Sequence, residues 1–216
     1  MGTRCSIYAS VIAPLSPTAP SGRWPPVMIV NGLPMNSTRR QISRTVRTDA
    51  GLCALWQTGY FTGAGDVDDW DDWVSDDELL VQAVSAGALV PVGVGADGVF
   101  EVLIRWNFSG AGLTERERRC LLISSEPYLL ISSGVVYIGG LEEAGGLPGR
   151  DANRIDLPEG RHAAVVHLID WKAELESVGK DGRPIADALP DFVVEIRPEG
   201  QLGKFYRTKS ATFDRP

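Results

Sequence analysis

Leu89-Val-Pro-Val-Gly-Val-Gly-Ala-Asp-Gly-Val-Phe-Glu-Val-Leu-Ile-Arg-Trp106 is the stretch whose pattern decides the fold class. Two apolar arms, Leu89 to Val94 and Val99 to Trp106, flank Gly95-Ala-Asp-Gly98. Asp-Gly supplies the positive backbone φ that a tight reversal requires, so the stretch reads as a β-hairpin. Along the second arm Phe100, Val102, Ile104 and Trp106 point to one face, while Glu101 and Arg105 share the other with Val99 and Leu103. A period of two marks a half-buried antiparallel strand.

The same signals recur outward in both directions. Gly51 to Trp56 reads as a strand, as do Cys120 to Ile123, Tyr128 to Ile131 and Val135 to Ile138, the last two joined at Ser132-Ser-Gly134. A Gly-rich loop covers roughly residues 139–152. Ile155 to Leu157 leads through the turn Pro158-Glu-Gly160 into Arg161 to Trp171, a long strand apolar on both faces. Residues 172–190 are charged and carry Asp181-Gly182 and Pro184, which predicts an exposed loop before a final strand, Phe192 to Ile196. One helix is expected at about residues 76–86. Ser75 and Glu78 have capping-box spacing, and Asp76 and Asp77 complement the helix dipole. Leu79, Leu80, Ala83 and Val84 form its apolar face, and Gly87 suits the position after its end. Some eight short strands with one short helix predict a mainly-β domain over residues 45–200, an antiparallel β-sandwich or jelly roll.

The flanks differ from this body. Residues 1–44 hold Pro14, Pro17, Pro20, Pro25, Pro26 and Pro34 among Ser, Thr and Gly, with no sustained periodicity. A basic, Pro-rich segment of this kind is expected to be poorly ordered, with Val27 to Val30 as one short strand. Residues 201–216 read as a polar tail. A chain of 216 residues suits one large domain and buries roughly 70% of its unfolded surface without help from metals or disulfides. Its three cysteines, Cys5, Cys53 and Cys120, lack CxxC spacing, and Cys53 and Cys120 sit in apolar runs where a thiol behaves as a small hydrophobe. Ser6 to Leu15 is interrupted by Pro14, and no apolar run approaches the roughly 20 residues that span a bilayer. These features predict a cytoplasmic protein with no membrane partner.

Charge is unevenly placed. Residues 1–50 carry six Arg against one Asp, a net +5, whereas the remainder carries 15 Lys and Arg against 27 Asp and Glu, a net −12. Arg39, Arg40, Arg44 and Arg47 form a basic cluster, but an acidic body behind them repels nucleic acid. The body favours basic partners instead.

No cofactor motif emerges. Gly93, Gly95 and Gly98 spell GxGxxG, yet they lead into a turn and a strand rather than a helix that would meet a phosphate. His162 and His167 lie on one predicted strand at an odd separation, hence on opposite faces, which excludes a shared metal or substrate. His162 and Asp170 share a face but are too far apart along a strand to touch. The acidic stretch Asp66, Asp68, Asp69, Asp71, Asp72, Asp76, Asp77 and Glu78 lacks the oxygen-ligand and glycine spacing of a calcium loop. Neither a metal site nor a catalytic set is therefore assigned. Trp70 and Trp73 stand three residues apart among those carboxylates, the composition of an interface hot spot with a charged rim. The candidate partner-binding residues are Asp66, Asp68, Asp69, Trp70, Asp71, Asp72, Trp73, Asp76 and Asp77.

The order from Leu52-Cys-Ala-Leu-Trp56, through the Asp/Trp stretch and Gly95-Ala-Asp-Gly98, to Ser133-Gly-Val-Val-Tyr-Ile-Gly139 and Leu157-Pro-Glu-Gly160 resembles bacterial β-sandwich proteins of unassigned role. It is loosely similar to competence-protein-J-like nuclease inhibitors and to the immunity proteins of polymorphic toxin systems. The resemblance spans residues 45–197. It implies a non-enzymatic acidic protein that occludes a basic toxin or nuclease, without cofactors. The alternative expectations are a small-ligand or carbohydrate-binding sandwich that stacks its ligand on Tyr128, Tyr137, Trp106 or Trp171, and a structural domain of a larger assembly.

Overall fold

The computed structural model describes residues 40–61, 76–108, 110–144, 153–201 and 205–210, all within one unit, Asn36–Pro216. Among these residues ten strands build two sheets. The first sheet orders β1 (Arg40–Thr48), β4 (Gly98–Trp106), β10 (Phe192–Pro198), β9 (Gly160–Ile169) and β5 (Leu121–Ser124), and β6 (Tyr128–Ser132) also pairs with β9. The second orders β3 (Leu89–Gly93), β2 (Leu52–Trp56), β7 (Val135–Gly140) and β8 (Arg154–Asp156). Short helices α1 (Thr58–Phe61), α2 (Asp77–Ser85) and α3 (Glu115–Arg119) complete the main elements. The mainly-β expectation holds.

The expected hairpin does not form. Gly95-Ala-Asp-Gly98 reverses the chain, with Gly95 at φ 71°, but β3 pairs with β2 in one sheet and β4 with β1 in the other. The turn is thus a corner between layers. The Gly51 carbonyl accepts from both Val94 and Gly95 N–H at 3.1 Å, which ties this corner to the one joining β1 and β2. Ser132-Ser-Gly134 is likewise a corner, since it leads from β6 in the first sheet to β7 in the second. Pairing is antiparallel except between β4 and β10, which run parallel, so the first sheet is mixed. Alternation specifies a strand's faces; the route of the connections sets its direction and partner.

Inner faces of both sheets meet in one core. Val46, Val102, Ile104, Val166, Leu168, Phe192 and Val194 of the first sheet join Cys53, Leu55, Leu89, Val92, Val136, Ile138 and Ile155 of the second. Each fully buried aliphatic or aromatic side chain there contributes on the order of 1.5–3 kcal/mol. α2 adds Ala83 and Val84 to this core. Its cap is Asp76 rather than Ser75: the Asp76 carboxylate accepts from Glu78 N–H at 2.8 Å and Leu79 N–H at 3.3 Å. Gly87 ends the helix at φ 72°, donating to Val84 while Ala88 donates to Ala83, so the last carbonyls are satisfied.

A second, smaller cluster of Leu113, Ile169, Trp171, Leu189 and Val193 covers the outer face of the first sheet. Residues 172–190 are therefore not simply exposed. Trp171 Nε1 donates to Asp191 at 3.0 Å and the Arg116 guanidinium grips Glu174, while Leu175 and Ile185 remain outside. The first strand among the described residues, β1, already includes Arg40 to Arg44, which lie before the expected boundary at 44/45; it is an edge strand whose inward residues include Ile42, Val46 and Thr48. Part of the expected tail also returns to the body: Arg207 N–H donates to the Pro127 carbonyl at 2.8 Å. Val27 to Val30 and the remainder of residues 1–39 lie outside the described residues. No helix among the described residues is long and apolar enough to cross a membrane.

Candidate functional site

Of the residues expected to bind a partner, Asp66, Asp68, Asp69, Trp70, Asp71, Asp72 and Trp73 lie outside the described residues. Asp76 and Asp77 are exposed at the start of α2, where one caps the helix and the other occupies its first turn. The acidic surplus has a sharp location. Between residues 48 and 104 there is no Lys, Arg or His, against eleven Asp and Glu. Residues 105–216 carry 15 Lys and Arg against 17 Asp and Glu, close to balance.

Outside that segment several exposed acids hold partners: Glu115 with Arg118, Asp156 with Arg154, Glu199 with Arg161, and Glu126 with Arg207. Within it, Asp49 pairs with Arg47 at 3.1 Å, whereas Asp76, Asp77, Glu78 and Asp97 are exposed and make no ion pair among the described residues. Among the described residues these unpaired acids stand at the start of α2 and, as Asp97, in the turn between β3 and β4.

The four proposed stacking residues are not available as platforms. Tyr128 is fully buried, Trp106 and Trp171 are 7% and 6% exposed, and Tyr137 stacks on Trp56 with ring centroids 6.3 Å apart. Sugar stacking needs an open ring face, so that alternative loses its residues.

A polar row on the outer face of the first sheet was not anticipated from sequence. Strand register sets Gln41 opposite Arg105 and Arg105 opposite Glu195, while Ser124 sits opposite His167. Arg105 and Glu117 are 3% and 2% exposed and form a two-pronged ion pair, both contacts at 2.6 Å. Arg105 also donates to the Gly112 carbonyl at 3.0 Å and to Gln41 at 3.2 Å. Glu117 closes a capping box with Thr114 at the start of α3. Burial alone would raise the Glu117 carboxyl; hydrogen bonds from Arg105 and Thr114 outweigh it and hold it below the usual range.

Next along the row, Arg197 engages Glu195, and His167 Nε2 stands 3.6 Å from the same carboxylate. Ser124 Oγ lies 2.8 Å from His167 Nδ1. Burial again pushes Glu195 upward, and the His167 ring and Arg197 guanidinium together bring it below the ordinary value. Ser124, His167 and Glu195 are ordered as nucleophile, base and orienter would be, but the 3.6 Å between His167 Nε2 and Glu195 is too long for the hydrogen bond that orients a base. Their other bonds point to a structural role: Glu195 is matched by Arg197, and the neighbouring Ser125 N–H is committed to the Val166 carbonyl at 2.8 Å. Gly112 roofs the row so closely that a Cβ there would come within 1.5 Å of a Glu195 oxygen. As expected, His162 faces the inner core side and His167 the outer one. The cysteines described, Cys53 and Cys120, are free, and burial pushes the Cys53 thiol up to about 12.

No family model and no curated protein matches the sequence. Among solved structures the chain is similar to the protein titled "Crocagin biosynthetic gene J", with 17% identity over 75% of this chain and 97% of that one, at a TM-score of 0.47. It is also similar to ComJ of Bacillus subtilis, inhibitor of the DNA degrading activity of NucA, with 10% identity over 74% of this chain and 98% of that one, at a TM-score of 0.43. The expected loose similarity to competence-protein-J-like proteins is thus found among solved structures.

Proposed function

We propose that this chain is a non-enzymatic acidic binding protein that occludes a basic partner, an immunity-type inhibitor of a toxin or nuclease. The observation that supports it most is the run of eleven acids without one cation between residues 48 and 104. A charge carried only for solubility is best interspersed with the opposite sign, as it is over residues 105–216. A one-sign segment instead generates a directed field, which steers a basic partner into place. Nuclease sites are positive because they hold phosphate, so such a field complements them. The same field disfavours nucleic acid and anionic membrane as partners. The reading rests on charge and not on the likeness to ComJ.

In this reading Asp66, Asp68, Asp69, Asp71, Asp72, Asp76 and Asp77 supply the steering, and Trp70 and Trp73 the anchors. The test is a pull-down with the full chain from lysate of its source at low and high salt, followed by association kinetics with the purified partner. A stoichiometric basic partner that weakens with salt is expected. Replacing Asp68, Asp69, Asp71 and Asp72 by Asn should slow association about tenfold at low salt and flatten its salt dependence. Unchanged on-rates across the salt series would overturn the steering role.

A further inference from the structure

Between the outer face of β1 and β4 and the chain over residues 184–191 lies a pocket of about 530 Å³. Leu103, Trp171, Ile185, Leu189 and Pro190 give it an apolar wall, and Glu101 and Asp191 are its charged lining residues. No Lys, Arg or His lines it among the described residues. We infer that this pocket receives an arginine side chain of a basic protein partner, with the guanidinium on the Glu101 carboxylate and the methylene stem along the apolar wall. That the arginine belongs to a protein follows from the basic-partner reading above; the chemistry of the pocket stands without it.

The two carboxylates are not equivalent. Asp191 is built into the frame: one oxygen accepts from Trp171 Nε1 at 3.0 Å and the other from the Glu101 N–H at 2.8 Å. The Glu101 side chain crosses instead to β1, where it accepts from the Ser43 hydroxyl at 3.2 Å and from the Thr45 hydroxyl. Ser43 is itself in the lining and its side chain is short, so the carboxylate it meets stands at the β1 side of the pocket. Two hydroxyls use about half of the roughly four acceptor sites on a carboxylate, and they neutralise none of its charge.

The other glutamates of this face set the contrast. Glu117 is gripped by Arg105, Glu195 by Arg197 and Glu174 by Arg116, so each of these buried or half-buried acids has a guanidinium from its own chain. Glu101 is half-buried and has no cation partner among the described residues. A carboxylate drawn partly out of water beside apolar side chains favours an incoming cation. Arginine fits better than lysine: its flat fork offers several N–H donors to the open carboxylate sites, it is less strongly hydrated, and its stem packs on apolar surface. Glu101 is the last member of the acidic run, so complementarity to a basic partner reaches from steering to anchoring.

N-acetyl-arginine amide and N-acetyl-citrulline amide test the inference, because they share size and shape and differ in one positive charge. In ¹H–¹⁵N spectra of the full chain, the arginine compound should shift the backbone amides of Glu101, Leu103 and Leu189. It should also bind about fivefold more tightly than the citrulline compound, the upper end for an ion pair open to water. Added salt should narrow that gap. Glu101→Gln keeps an acceptor for Ser43 and Thr45 and removes the charge, so it should bring the two affinities together. Pocket amides unmoved at the highest soluble concentration, equal affinities in the unmodified protein, or shifts confined to α2 and Asp97 would overturn the proposal. These readings use the native chain without any partner. Their failure leaves steering by Asp66 to Asp77 to its own association rates, and failure of the pull-down leaves this titration intact.

Discussion

At the scale of single residues, the most consequential contact is the buried pair of Arg105 and Glu117. Glu117→Ala strands the guanidinium in a dry site and should cost about 3–5 kcal/mol in urea denaturation. Replacing both together, Arg105→Met with Glu117→Leu, should cost less than that single change, because no charge is left unmatched. The pH dependence follows from direction alone. Glu117 and Glu195 both titrate below the ordinary value of 4.5, so they bind fewer protons folded than unfolded at mildly acidic pH. Their stabilisation is therefore complete above that ordinary value and is lost as pH falls through the lowered ones. Glu117→Gln should flatten the acid limb of the stability profile, and an unchanged limb would exclude Glu117 as its source. Cys53, with its thiol raised to about 12, should resist alkylation until the protein unfolds, as peptide mapping after iodoacetamide would show.

At the scale of elements, α2 was legible because dipole charges, apolar stripe and terminal glycine agree over one short window, although its cap is Asp76 and not the expected Ser75. Asp76→Ala should remove the cap and cost about 1 kcal/mol in thermal denaturation. Gly87→Ala should cost more, since its φ of 72° disfavours a side chain and a Cβ would stand 2.8 Å from Leu129 Cγ. Equal costs would mean that the neighbours give way. α3 carries the same kind of signature in Thr114 and Glu117, yet Glu-Arg-Glu-Arg-Arg has no apolar stripe to draw notice. Its anchor is Arg105, distant in sequence from the helix it holds and so invisible to a local pattern. β1 escaped for a related reason: as an edge strand rich in Arg, Ser and Thr it shows only every second residue to the core. The positions of nearly all other strands were readable from alternation. The layer each belongs to was not, because Asp-Gly announces a reversal and says nothing about which sheet receives the next strand.

At the scale of the whole molecule, two layers of strands and an outer cover leave the charge surplus on one run of chain and a pocket beside the cover. The first was half legible: the sequence counts the acids, whereas the exposure of Asp76, Asp77, Glu78 and Asp97 without ion partners among the described residues is visible only in the structure. The second was not legible, since Ser43, Glu101, Trp171 and Leu189 converge only through strand pairing and the return of the chain over the sheet. The strand order adds one more expectation. β10, the last strand among the described residues, occupies the middle of the first sheet between β4 and β9. A chain ending at residue 191 should lack cooperative unfolding, and recovery of a sharp transition in that truncation would contradict the central role given to β10. The same placement governs how the protein comes to be folded. During synthesis β1 with β4, and β9 with its neighbours, leave the ribosome as separate half-sheets with open edges, and they are joined only when the final strand threads between them. Such late, long-range closure raises contact order and slows folding, so the nascent chain passes through an interval in which its unpaired edges are open to other chains.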